Sequence, residues 1–229
     1  MRHGTAGRLR RVGALLLLTA GLARGDGNDT WDWKDDPATG KPKRKLVIGF
    51  DPSITNFEAA TGFSLIDIVQ EAAANWNQHT SVSGWEFVLT NAASGDVVIM
   101  SGDSPVPNGG ASTARGTNTG GRVAQARVTF DPTPQAKKRG ADGKPVFNPD
   151  TRKVVVEDLT WGTNGVGILD LISVTKHEFS HLLRKKHSTD SDGHERRDSG
   201  NLSDPVGKGN HQREPSAADV TNITLSATQ

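Results

Sequence analysis

"HEFSHLLRKKHSTD", residues 177–190, gathers three of the chain's seven histidines into one short stretch. His177 and His181 stand four positions apart, so on a helix their imidazoles project from one face, a turn from each other. From there both can reach a single ion at about 2.0–2.1 Å, the zinc–nitrogen distance. Glu178 lies one step round, beside such an ion instead of on it. A carboxylate placed there can take a proton from a water whose pKa zinc lowers to about 7. Upstream and within the segment, Ile168, Leu171, Ile172, Phe179, Leu182 and Leu183 recur at helical spacing on the other side. The pattern predicts a helix with the histidine pair facing away from its own apolar stripe. The competing reading is a solvated, charged helix end.

Working outward, the N-terminus carries Arg8, Arg10 and Arg11 before a short apolar run, Val12 to Ala23. That run is too short and too rich in alanine and glycine for a stable membrane span, and reads as a secretory signal peptide over residues 1–25, cut before Asp26. The expected product is secreted or extracytoplasmic, free of the membrane once the signal is removed, and monomeric. The chain has 229 residues and no cysteine, so an exported product has no disulfides and depends on packing and bound ions. One domain is the default at this length. A net charge of +1, with both signs interspersed, gives no footprint for nucleic acid.

Residues 26–44 mix acidic residues, proline, glycine and a basic end without apolar periodicity, and are expected to form a flexible acidic/basic leader, with Trp31 and Trp33 able to dock on the domain. The domain then runs over 45–229. "KLVIGFD" (45–51) reads as a buried strand. "SLIDIVQEAAANWN" (64–77) reads as a long helix with Ser64 as N-cap, Asp67 three residues on, and Leu65, Ile68, Val69, Ala72 and Trp76 on one face. "WEFVL" (85–89), "DVVIM" (96–100) and "ARVTFD" (126–131) are further strands, and a short edge strand is expected around Gly110 to Arg115. Residues 132–153 read as a surface excursion with "NPDT" at a hairpin tip. Trp85 and Trp161 are assigned to the core, His79 and His211 to the surface, and a last short helix is expected near Ser216. The element order predicts an α+β domain: a mixed twisted sheet, a long helix, the histidine helix, and a small irregular C-terminal part.

"HEFSHLLRKKH" resembles the metzincin signature H-E-x-x-H-x-x-G-x-x-H, and is closest in flavour to the matrixins. The order of strand, long helix, further strands and histidine helix is similar in outline over about residues 45–225. The resemblance implies a metzincin-like zinc endopeptidase acting on protein or peptide substrates. It implies His177, His181 and His187 as zinc ligands and Glu178 as general base and later proton donor.

Two positions depart from the pattern. Arg184 stands where the family has the glycine that reverses the backbone, at a cost of about 1–2 kcal/mol for a left-handed conformation. Ser203 stands where the methionine of the turn beneath the metal is expected. Neither change removes a ligand or the base. Other groups compete for the third ligand position: Asp190, Asp192, His194 and Glu195 follow closely, and Glu195 as ligand would make the site gluzincin-like. The same stretch, with its D-x-D-G, could hold calcium, although a solvated loop is favoured. A secreted module that keeps zinc for stability without catalysis is a further alternative. Against it, structural zinc sites are normally closed by four protein ligands, usually including cysteine.

Overall fold

The computed structural model describes residues 23–24, 32–103, 110–117, 122–138, 140–141, 144–163 and 169–183. Its elements are β1 (Ala23–Arg24), β2 (Lys45–Phe50), α1 (Ile54–Thr61), α2 (Leu65–Asn77), α3 (Thr80–Ser83), β3 (Glu86–Leu89), β4 (Val97–Ser101), β5 (Ala111–Thr117), β6 (Val123–Phe130), β7 (Gln135–Lys137), β8 (Val156–Asp158), β9 (Trp161–Gly162), β10 (Leu169–Asp170) and α4 (Leu171–Leu182). The chain is an α+β protein built on one mixed sheet, ordered β5-β6-β4-β2-β3, with the two-residue β1 alongside β5. β3, β2, β4 and β6 run parallel, and β5 is antiparallel to β6. No described helix is long and apolar enough to cross a membrane.

Register explains how β3 and β4 come to flank β2. β3 matches Lys45–Ile48 and β4 matches Ile48–Phe50, so the second begins level with the end of the first. The turn-rich segment 90–96 therefore steps across β2 instead of closing a hairpin. Gly49 and Gly95 make that crossing possible. A β-carbon on Gly49 would lie 2.6 Å from the Ser94 carbonyl oxygen and 2.7 Å from that of Ala92, and one on Gly95 would lie 2.5 Å from that of Val47. These neighbours are backbone and cannot swing aside, so Gly49→Ala is predicted to destabilise the fold by about 1–3 kcal/mol. Urea unfolding measures this, and an unchanged midpoint would show that the crossing is looser than described.

α2 forms as its sequence predicts. The Ser64 hydroxyl accepts the Asp67 N–H at 3.3 Å, satisfying one of the first-turn donors, and Leu65, Ile68, Val69, Ala72 and Trp76 are buried. Each large side chain of that stripe contributes about 1.5–3 kcal/mol of burial. α1 is an element that sequence reading missed; it buries only Ile54 and Phe57 and ends at Gly62 in a left-handed conformation, φ 77°. Trp85 and Trp161 lie in the core, and His79 is half-buried at the start of α3. The excursion is a long hairpin pairing β7 with β8, tipped at Asn148, whose side chain accepts the N–H groups of Asp150 and Thr151 at 2.9 and 3.0 Å.

The leader differs from its expected flexibility over residues 32–44. Trp33 is 2% exposed and pairs with Val123 in an isolated bridge, while Arg122 binds Asp32 and Asp35, and Lys43 binds Asp96. The physical reason is the indole: it fills the core and its N–H finds a buried acceptor, so this segment is part of the domain. Ala23 and Arg24, inside the expected signal peptide, pair with Arg115 and Ala114 of β5. Arg184, His187, the loop 188–201, Ser203, His211 and the helix expected near Ser216 lie outside the described residues.

Candidate metal centre

α4 begins where Asp170 accepts the Ser173 N–H at 2.8 Å, a buried N-cap. The helix was expected to be apolar on one side only. It is buried nearly all round, because α2 packs against it on one flank and β5 on another. Its polar side chains tolerate this partly by turning back on their own helix. The Thr175 hydroxyl donates to the Leu171 carbonyl at 2.7 Å and the Ser180 hydroxyl to the His177 carbonyl at 2.6 Å. Two tryptophans brace the outside: Trp76 donates to the Lys176 carbonyl at 3.3 Å and Trp33 to the Leu182 carbonyl at 2.8 Å. The second bond satisfies one of the last-turn carbonyls that an α-helix leaves without an internal partner. Phe179 stacks on Phe87 of β3, centroids 4.8 Å apart.

On this fixed helix the Nε2 atoms of His177 and His181 face each other 3.1 Å apart, with ring planes at 85°. Two nitrogens so close converge on one point, within reach of a single ion bound at about 2.0–2.1 Å from each. His177 is 6% exposed and His181 half-buried, which does not fit a solvated helix face. Glu178, the next residue after His177, is buried as well. Burial pushes its carboxyl up to about 7, and the Thr113 hydroxyl, which donates to Oε2 at 2.5 Å, works in the opposite direction. A cation at the histidine pair would return the carboxyl toward its charged form.

Thr113 is the site residue that sequence reading missed. It lies on β5, in the stretch expected to supply the edge strand, but nothing in a Gly-rich run of small residues marks one threonine as reaching a glutamate 65 positions later.

α4 ends at Leu182. Leu183 leaves helical geometry (φ −92°, ψ 22°), and its N–H bonds back to Ser180 at 3.1 Å and Phe179 at 3.3 Å, a tightened last turn. The donors that the described residues bring together are thus two imidazoles, with the buried Glu178 next to His177 in the chain. Among the described residues no three His, Cys, Asp or Glu side chains gather as a metal site, and His187, the expected third ligand, lies outside them. In sequence the chain matches no protein-family model, and no curated protein matches it significantly.

Proposed function

We propose that the chain is an exported, zinc-dependent endopeptidase of metzincin type. The observation that carries this reading is the convergence of His177 Nε2 and His181 Nε2, 3.1 Å apart, on a helix whose next residue after His177, Glu178, is buried. The end of α4 at Leu183 supports it too, because a helix that stops there frees the following segment to turn back toward the pair. His177, His181 and His187 would hold the zinc. When bound, zinc polarises a carbonyl and lowers the pKa of a water.

The chain's own residues do the rest. Glu178 takes the proton of the attacking water on its carboxylate and returns it to the leaving amine. Burial keeps that carboxylate from being solvated and strengthens its interactions. β5 lies against the site, and among the described residues only the two-residue β1, inside the expected signal peptide, pairs with its outer side, so once residues 1–25 are removed an extended peptide added to β5 would run past Glu178.

Purified protein freed of residues 1–25 is expected to carry one zinc, to cleave an unfolded protein such as casein, to lose that activity to a chelator and to regain it with added zinc. Metal analysis and a casein digest check this. A folded, zinc-loaded protein that cut nothing across a broad peptide library would instead favour a zinc-stabilised binding module.

A further inference from the structure

We propose that Thr113 is the positioning residue of the catalytic base, fixing the Glu178 carboxylate through a bond from the sheet; this rests on the peptidase reading above. Among the described residues, Thr113 is the hydrogen-bond partner of that carboxyl, with Oγ1 2.5 Å from Oε2 and 3.4 Å from the Glu178 carbonyl oxygen. A glutamate needs such a partner. Its last torsion joins an sp³ to an sp² carbon and is broad, so helix geometry alone leaves the plane of the carboxylate undefined. A hydroxyl that donates to one oxygen fixes the plane and leaves the other oxygen to exchange the proton.

The bond also sets where the base stands relative to substrate. Thr113 is held in register by β6, where it is paired with Val128. A peptide paired on β5 would take its position from the same strand. The distance from base to scissile bond would then be fixed through one strand, and a misplacement of about 1 Å in such an arrangement can cost 10²-fold in rate. Thr113 does not touch the reacting atoms in this role; it acts through Glu178.

The test compares Thr113→Val, Thr113→Ser and wild type for zinc content, kcat and KM, together with urea unfolding of Thr113→Val in the wild-type and Glu178→Ala backgrounds. Valine keeps the shape and removes the donor. The expected result is full zinc content, kcat lower by about 10–100-fold with KM little changed, and near wild-type kcat for the serine variant. Thr113→Val should shift the urea midpoint in the wild-type background and shift it less when Glu178 is already absent. A wild-type kcat for Thr113→Val, a serine variant as slow as the valine one, or equal midpoint shifts in both backgrounds would overturn the proposal. A wild-type protein that binds zinc and cleaves nothing would overturn the peptidase reading and this catalytic role together, and the unfolding data would then report only whether the contact exists.

Discussion

Glu178→Gln is expected to leave zinc content at the wild-type level and to lower kcat by about 10²–10⁴-fold, the range that positioned general acid–base groups contribute. The carboxamide has the shape of the carboxylate and still offers Thr113 an oxygen, so the packing between α4 and β5 should survive. What it cannot do is accept the proton of the attacking water. Glu178 follows His177 on the helix and its carboxyl is bonded to Thr113, while the two imidazole nitrogens face each other, so the metal should not depend on it. Metal analysis alongside single-turnover cleavage separates the two roles. Parallel loss of zinc and activity would make Glu178 a ligand or a structural residue, and the proposed mechanism would fall.

The helix that carries these groups was legible because its signals are local. Four-residue spacing of two histidines and an apolar stripe can each be read within a few turns. α2 was legible for the same reason: its cap, Ser64, and its buried stripe lie in one continuous segment. What the sequence did not reveal depends on contacts between distant segments. Gly49 and Gly95 look like ordinary glycines until register lays the crossing segment over Gly49 and brings Gly95 of that segment against Val47 of β2. Docking of Trp33 on the domain was legible but not its place, since its indole reaches a carbonyl 149 residues away. Burial of Thr175 and Ser180 hid in the same way, since hydroxyls that bond to their own helix carry no mark in the apolar pattern. In each case local composition describes the segment and tertiary packing decides its surroundings.

The metal itself gives the sharpest separation between the proposed third ligands. His181→Ala removes one of the two nitrogens that converge at 3.1 Å, and His187→Ala removes the histidine that the motif supplies beyond the end of α4. Each is expected to weaken zinc binding by about a hundredfold or more, because even the loss of a group that merely supports a ligand typically costs 10–100-fold. Glu195→Ala and His194→Ala should stay near wild type. The expectation for His187 follows from the end of α4: Leu183, at φ −92° and ψ 22°, already lies outside the helix, so the ten residues from His177 to His187 need not carry the third imidazole round to a different face. Competition for zinc against a chromophoric chelator measures all four variants on one scale. A silent His187→Ala paired with a damaging Glu195→Ala would replace the three-histidine site with one closed by a carboxylate, and would end the metzincin assignment while leaving the His177–Glu178–His181 chemistry in place.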